Sequence, residues 1–427
     1  MIASKITLLS KSVLVLLFSS IALPTVFQYL KLLLLSLIVA FILIKSDDAI
    51  KLYPRLFLAS IAIAVIGFFW SVYGFTLGNP GALRVLTVMM LYPVLFPFIY
   101  SVLNNSACEK ISFVFFLAAV FISVFDLLLV GSSFFEILYF FKEFASSIDE
   151  STNFSESDEY FKFTAPNIAS IIFLLPFFFS AIVFGFRPLR KHFIAMVVLL
   201  LFSLAVFSGR RALLVTMFLG PLIAWILSFK LTRGRIRSLT TKIRPSSLLL
   251  SFILFICFVV FLLNLVNVVG KSYLVDQLGS IFDFSENDSN IARTLQFEAL
   301  MQGISESPFF GSGAGAAASY SRSSDQPWTY ELFYVSMVFQ YGVIGFLVYL
   351  IPVLYVVFWL VMRVKSYGRN TFYFCYLSGL ISFLISSATN PYIGKFDYMW
   401  VIFIPYALIN NSLIYRESLT HKRISHD

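Results

Sequence analysis

Residues 328–362 read WTYELFYVSMVFQYGVIGFLVYLIPVLYVVFWLVM and contain one acidic side chain, Glu331, and no basic one. About 20 apolar residues, or roughly 30 Å of helix, suffice to cross the hydrocarbon core of a bilayer. The run therefore predicts a transmembrane helix, and it is longer than one span requires.

Apolar runs of this kind recur along nearly the whole chain. The 427 residues are 59% hydrophobic and 12% charged, with a mean hydropathy of +0.89. A soluble domain has about a quarter of its residues charged, so this composition excludes a soluble globular protein. We expect an all-α, polytopic integral membrane protein with a single membrane domain over residues 1–427 and about twelve transmembrane helices. The predicted spans are 12–28, 30–44, 56–77, 83–103, 111–131, 167–186, 190–208, 211–229, 247–269, 328–362, 371–389 and 396–415.

The basic residues fall mainly on one side of this predicted topology. With both termini cytoplasmic, 21 of the 31 Lys and Arg residues lie in inner segments, together with five of the 22 acidic residues. The outer segments keep ten basic and seventeen acidic residues, which is the asymmetry of the positive-inside rule. The formal charge of +9 therefore reflects the predicted topology, because the basic excess lies in the inner segments. The RGRIR stretch at 233–237 predicts a cytoplasmic anchor, and no pattern indicates a nucleic-acid partner.

Two predicted outer segments are longer than the other connections. Residues 132–166 form an acidic, Ser-rich outer loop, which is typical of a mobile segment. Residues 270–328 form a large outer loop in which apolar residues from Ile291 to Ile304 recur at helical spacing. We expect a short helix near 290–306, capped by Ser289 or Asn290 and lying on the membrane face or over a cavity.

The stretch GSGAG at 311–315 superficially resembles a nucleotide-binding loop. A dinucleotide loop must follow a strand and open a helix, and a Walker loop needs Gly-Lys-Ser/Thr after four spacers; neither context occurs here. We therefore expect no nucleotide cofactor and a turn in which Gly311, Gly313 and Gly315 form a loop hinge. The alternative is that consecutive backbone N–H groups of this run bind an anion.

Four arginines lie on the predicted outer side, which otherwise has an acidic excess. Arg210 and Arg211 stand at the entrance of a span, Arg293 lies in the loop helix, and Arg322 follows the glycine run. Any one of them could simply contact a lipid headgroup. Because the planar guanidinium suits bidentate binding of phosphate, the four together predict a site for a diphosphate-bearing ligand.

Catalysis on this side also requires a base, and all three histidines lie on the cytoplasmic side. Two carboxylates remain as candidate catalytic residues. Glu331 follows Tyr330 where the large loop enters the membrane, in a position to act as a general base; the alternative is an interfacial carboxylate beside an aromatic belt. Asp126 lies inside the fifth span, where an acid is a functional candidate, and the alternative is a pair with Arg84.

The cysteines indicate neither a disulfide nor a metal site. Cys108, Cys257 and Cys375 fall in an inner loop or within spans, and none lies in an outer segment. No Cys or His spacing is typical of a metal site, so we expect no metal.

Four motifs in the half of the chain from about 200 to 400 resemble those of a known family. In chain order they are FSGRRALL, ARTLQFEALMQGISESPFFGSGAGA, YELFYVSMVFQYGVIGFLVYL and SSATNPYIGKFDYMW. Their order and sidedness, on about twelve spans, are similar to those of the O-antigen polymerases, which form a wider group with the O-antigen ligases. Each motif is degenerate, and the combination carries the resemblance.

The resemblance implies a glycosyltransferase of the bacterial inner membrane with its active site facing the periplasm. Such an enzyme transfers a growing sugar chain from undecaprenyl diphosphate to another lipid-linked repeat unit, without metal or ATP, and its chain length involves a separate regulator protein. Arg210 or Arg211, with Arg293 and Arg322, would hold the diphosphate. Glu331 is our candidate base from its position and chemistry.

Two alternatives stay open at this point. The ligase branch carries a His-Asn pair where the large loop re-enters the membrane, whereas this chain has Thr329, Tyr330 and Glu331, which favours a polymerase. A flippase for lipid-linked oligosaccharides would also combine about twelve spans with a cationic cavity. Such a transporter would not need the long outer loop with its helix.

Overall fold

The computed structural model describes residues 2–44, 52–103, 107–132, 140–141, 143, 153–157, 160–165, 167–186, 190–208, 210–230, 288–366 and 371–424. The predicted span 247–269, the RGRIR stretch and Cys257 lie outside the described residues. So do residues 270–287 of the large loop.

Helices dominate the described residues, as the composition predicts. They are α1 (Ile2–Ala22), α2 (Gln28–Ile44), α3 (Pro54–Thr76), α4 (Ala82–Leu86), α5 (Tyr92–Ser101), α6 (Ala107–Ser132), α7 (Ile168–Phe184), α8 (Lys191–Phe207), α9 (Arg211–Lys230), α10 (Asp288–Glu306), α11 (Phe333–Ser366), α12 (Thr371–Ser386) and α13 (Trp400–Ile424). Within the described residues, three stretches are long and apolar enough to cross a membrane: Leu56–Thr76, Cys108–Ser132 and Phe333–Val364. The protein is thus a helical protein with the apolar helices typical of a membrane protein.

The predicted span 83–103 is not one regular helix. It consists of α4, a π-helical turn at Thr87–Leu91, and α5, which contains Pro97. A Cβ on Gly67 of α3 would lie 2.5 Å from the carbonyl carbon of Met89, so the π turn approaches α3 at backbone distance. Such π turns interrupt the regular helical ladder locally.

The acidic loop predicted at 132–166 contains regular structure. Strands β1 (Asn153–Ser157) and β2 (Tyr160–Thr164) pair antiparallel, with Asn153 opposite Thr164. Phe161 and Phe163, at alternate positions of β2, favour a strand over an irregular loop. The acidic, Ser-rich composition of the whole segment predicted a mobile loop and did not reveal these two short strands.

The centre of the fold is α7, which packs against α12 and α9. Its residues are apolar all round and almost all buried, as expected for a helix surrounded by other helices. Phe173 contacts Tyr376 and Trp400 with ring centroids 4.9 and 4.8 Å apart. These edge-to-face contacts join α7 to α12 and α13, which correspond to the last two predicted spans.

A kink explains why the run 328–362 is longer than one span. Helix α11 is two helical parts, 333–341 and 343–366, joined at Gly342, whose φ of 65° and ψ of 178° are not helical. A Cβ at Gly342 would lie 2.1 Å from the carbonyl oxygen of Phe309, so only glycine allows this approach. The second part alone is long enough to span a bilayer.

A buried ion pair joins the two ends of the chain. Lys31 Nζ lies 2.6 Å from Asp397 Oδ1, with both side chains 3% exposed. Asp397 also accepts the Thr25 N–H at 2.8 Å, and Lys31 donates to the Leu23 carbonyl. The two residues lie in the predicted spans 30–44 and 396–415, and no sequence pattern predicted that they pair.

Candidate functional site

Glu331 lies between two arginines. Its Oε2 is 2.7 Å from Arg293 Nε, and its Oε1 accepts a hydrogen bond from Arg322 Nη1. The contact with Arg293 is an ion pair without hydrogen-bonding alignment. The exposed fractions are 23% for Glu331, 32% for Arg293 and 49% for Arg322, so the cluster opens to one side. We call these three residues the Arg–Glu cluster; at neutral pH it has a net charge of +1.

Helix α10 holds one arginine of this cluster in place. It begins at Asp288, so Ser289 and Asn290 lie inside its first turn rather than before it, a shift of one or two residues from the predicted cap. Arg293 Nη1 lies 3.5 Å from Asn290 Oδ1, one turn earlier on the same face. The arginine is therefore oriented from its own helix as well as by Glu331.

Gln296, which is not among the residues predicted from the sequence, positions the carboxylate. Its side chain is 2% exposed, and its Oε1 accepts the backbone N–H of Glu331 at 2.9 Å and of Leu332 at 3.3 Å. Gln296 lies three residues after Arg293, so both residues lie on the same face of α10 and both contact Glu331. The spacing Arg-x-x-Gln on a predicted helix was the available signal.

Tyr330 supports the other side of Glu331. Its hydroxyl donates to the Ala316 carbonyl at 3.0 Å and accepts the Ala318 N–H at 2.6 Å. Burial raises the pKa of Tyr330 to about 12, so the phenol stays neutral near pH 7 and can donate and accept at once. Its ring packs edge-on against Phe339 in a small apolar cluster that also contains Leu300.

The glycine run, Gly311–Gly315, is a tight clasp between α3, the α3–α4 turn and α11. Gly311, Gly313 and Gly315 have φ of 70°, 84° and 73°, the left-handed region that favours glycine. A Cβ on Gly315 would lie 2.2 Å from the carbonyl carbon of Gly81. The three positions thus need glycine both for their backbone angles and for close approach.

The N–H groups of this clasp are largely engaged within the protein. Ser312 N donates to Phe339 O at 2.8 Å, Ala314 N to Trp70 O at 3.0 Å, Gly315 N to Gln340 Oε1 at 3.1 Å and Gly311 N to Ser307 O at 2.9 Å. These bonds favour the predicted turn over an anion cradle. The predicted hinge role of the three glycines stays a prediction, and such motion would have to break these bonds.

Arg210 has a different partner from the two arginines of the Arg–Glu cluster. Its Nη1 donates to the Tyr392 hydroxyl at 2.8 Å, which joins the start of α9 to the turn before α13. Tyr392 packs against Phe383 and Tyr398, with ring centroids 5.9 and 5.7 Å apart. Arg211 is the first residue of α9, and its side chain lies outside the described part of the structure.

Asp126 is buried in α6 and does not pair with Arg84. Its Oδ1 accepts a hydrogen bond from Asn167 Nδ2 at 2.8 Å, and Arg84 is exposed. Both Asp126 and Asn167 are 1% exposed or less. Helix α6 packs against α1, α8 and α7, whereas Glu331 contacts α10, so the two candidate carboxylates stand in different surroundings.

The Arg–Glu cluster is the grouping with the clearest chemistry in the described part of the chain. Two guanidinium groups converge on one carboxylate at a partly open surface, an arrangement that can bind a phosphate group and accept a proton beside it. Among the described residues, no group of His, Cys, Asp and Glu could hold a metal ion. Cys108 and Cys375 are free thiols.

The structure thus brings together three of the residues that the sequence nominates, Glu331, Arg293 and Arg322, and leaves Arg210 and Asp126 with other partners. Comparison of the chain with models of protein families, with curated proteins and with solved structures finds no match.

Proposed function

We propose that this protein is a membrane glycosyltransferase that polymerises lipid-linked oligosaccharide repeats, as the O-antigen polymerases do. The observation that carries the proposal is the convergence of Arg293 and Arg322 on Glu331. These residues come from two of the four motifs that carry the resemblance and from the loop between them. A diphosphate leaving group needs cations, and an attacking hydroxyl needs a base, and this cluster offers both.

The reaction joins two lipid-linked substrates. The acceptor hydroxyl attacks the anomeric carbon of the donor chain, its proton passes to Glu331, and the bond from that carbon to the diphosphate oxygen breaks. Undecaprenyl diphosphate leaves with the bonding electrons, and the arginines stabilise its added negative charge. Cleavage of the glycosyl diphosphate bond drives the transfer, so the reaction requires no ATP; we propose that it also uses no cofactor or metal.

The arrangement also sets an order of events. Both carboxylate oxygens of Glu331 contact an arginine in this structure. An arriving diphosphate competes for the same guanidinium groups because it has more charge and more acceptor oxygens than the carboxylate. Binding of the diphosphate therefore frees an oxygen of Glu331, and the base becomes available only when the donor is in place.

The position in the membrane follows from the same proposal. About twelve spans with cytoplasmic termini put α10 and the Arg–Glu cluster on the periplasmic side of the bacterial inner membrane, where lipid-linked repeats are joined. The bilayer and undecaprenyl diphosphate-linked oligosaccharide are the partners, with a chain-length regulator as a protein partner. We assign the base to Glu331 rather than to Asp126, since Asp126 is enclosed among helices.

A deletion strain tests the function. Loss of a polymerase leaves surface glycan of single repeat units, whereas loss of a flippase abolishes even these, and loss of a ligase leaves polymer on the carrier lipid. We expect single units attached at the surface, and restoration of long chains by the intact gene. Absence of single-unit product would overturn the proposal.

A further inference from the structure

The turn after α10 presents two aromatic side chains that nothing within the described chain covers. Phe309 is 65% exposed and Phe310 is 59% exposed. We call Pro308, Phe309 and Phe310 the Phe tip. Large apolar side chains placed side by side on a tight turn mark a contact surface rather than chance exposure.

The backbone of the Phe tip is tied to two helices. Its three carbonyls each accept a hydrogen bond: Pro308 O from Val343 N at 2.9 Å, Phe309 O from Ile344 N at 3.3 Å, and Phe310 O from Trp70 Nε1 at 2.6 Å. Val343 and Ile344 open the second part of α11, where N–H groups have no partner within their own helix. The tip therefore caps a membrane-spanning helix.

These contacts place the tip within the apolar layer. Trp70 lies six residues before the end of α3 at Thr76, which is about 9 Å of helix. Residues 343–364 of α11 measure about 33 Å, enough to cross the bilayer, so Gly342 marks one end of that span. The Phe tip contacts the span end on one side and a point inside α3 on the other.

The neighbouring helix surfaces are apolar and exposed as well. Phe69 of α3 is 60% exposed, and Val343 and Ile344 of α11 are 40% and 41% exposed. Such faces on spanning helices contact lipid. The Phe tip continues this surface, and its carbonyls are satisfied by protein, which is the condition for non-helical backbone at membrane depth.

We propose that the Phe tip is inserted among the lipid acyl chains of the leaflet on the side of the glycine run, and that it anchors α10 to the membrane surface. A tyrosine or tryptophan anchor would sit at the headgroups, whereas two phenylalanines have no polar end and belong below them. The occupant is bulk lipid rather than a second copy of the chain or a protein partner.

Site-directed fluorescence tests this assignment without any assay of activity. In a variant with alanine at the three native cysteines, Phe309→Cys and Phe310→Cys are labelled with an environment-sensitive fluorophore and reconstituted in phosphatidylcholine and phosphatidylglycerol nanodiscs. Lipids with a nitroxide on the acyl chain should quench the label, its emission should shift to the blue, and aqueous iodide should have little effect. Phe69→Cys is the lipid-facing control, and Ser324→Cys, exposed in the same loop, is the aqueous control.

Three outcomes would overturn the proposal. Iodide quenching equal to that at Ser324→Cys would place the tip in water. Protection from both quenchers would show that protein covers it, and lipid quenching that disappears on adding undecaprenyl diphosphate would assign the tip to the isoprenoid chain. Phe309→Trp keeps an aromatic side chain and repeats the measurement without cysteine variants. The readout is its additional quenching by brominated phosphatidylcholine relative to the unsubstituted protein, whose five tryptophans give the background.

Discussion

Gln296 holds the backbone of Glu331: its side-chain oxygen accepts the Glu331 N–H at 2.9 Å and the next N–H, that of Leu332, at 3.3 Å. These groups lie immediately before α11, where N–H groups cannot bond within the helix. A residue on α10 therefore caps α11 and fixes the carboxylate relative to Arg293. One helix sets the position of both the proposed base and one of its cations.

Substitution Gln296→Leu should destabilise the protein and impair activity together. It leaves two partly buried N–H groups without an acceptor, at a cost of about 1–3 kcal/mol for each group that stays dry. The measurements are thermal unfolding of the purified protein in detergent and polymer length in a complemented deletion strain. Gln302→Leu, on the exposed face of α10, is the matched control. Identical behaviour of the two variants would remove the positioning role of Gln296.

Replacing either arginine of the Arg–Glu cluster should shorten the polymer without loss of membrane protein. A charge-assisted hydrogen bond is worth about 1.5–3 kcal/mol, which corresponds to a roughly 10- to 100-fold drop in rate for Arg293→Ala or Arg322→Ala. Both side chains are partly exposed, so folding should tolerate the change. Lysine should restore only part of the activity because it lacks the bidentate fork.

Arg84→Ala is the control for this experiment. Arg84 is an exposed residue of α4, and it is not part of the Arg–Glu cluster. Glycan ladders resolved on gels give the readout, with immunoblots for protein amount. An unaltered ladder in both cluster variants would contradict the diphosphate assignment.

Glu331→Gln should separate binding from chemistry. A general base contributes about 100- to 10,000-fold, so polymerisation should fall by at least that lower factor. The neutral amide no longer competes for Arg293 and Arg322, and the lipid diphosphate should bind as tightly as before or more tightly. Binding of undecaprenyl diphosphate to the purified variant and its polymer yield are the two measurements. Normal polymer yield would exclude Glu331 as the base.

Local sequence patterns predicted the helices, but they could not predict contacts between residues that are far apart in the chain. Hydrophobic runs gave most helix positions, and the helical spacing from Ile291 gave α10 to within two residues at its start. The pairing of Lys31 with Asp397 joins residues 366 positions apart, which no local pattern specifies. Glu331 was found because a lone carboxylate in an apolar run is conspicuous, whereas Gln296 looks like any polar residue on an amphipathic helix.

Alanine substitution should destabilise the protein more at Gly315, in the glycine clasp, than at Gly78, although both glycines have left-handed backbone angles. Gly315→Ala places a Cβ 2.2 Å from the Gly81 carbonyl carbon, and backbone cannot move aside cheaply. Gly78 has a φ of 75°, but a Cβ there meets nothing within 4 Å. Gly78→Ala should therefore cost only the conformational strain of about 1–2 kcal/mol, and Gly315→Ala should cost clearly more. Thermal unfolding in detergent measures the difference, and equal losses would refute the close packing of the clasp.

Removing one partner of the buried pair Lys31–Asp397 should destabilise the protein strongly, whereas replacing both residues by apolar ones should destabilise it little. Lys31→Met leaves the buried Asp397 carboxylate without its counter-charge, and breaking such pairs costs about 3–5 kcal/mol. Replacing both residues, as Lys31→Met with Asp397→Leu, removes the unpaired charge, and stability should return most of the way to that of the unsubstituted protein. Thermal unfolding of the single and double variants gives the coupling energy. Additive losses in the double variant would show that the two charges stabilise the fold independently of each other.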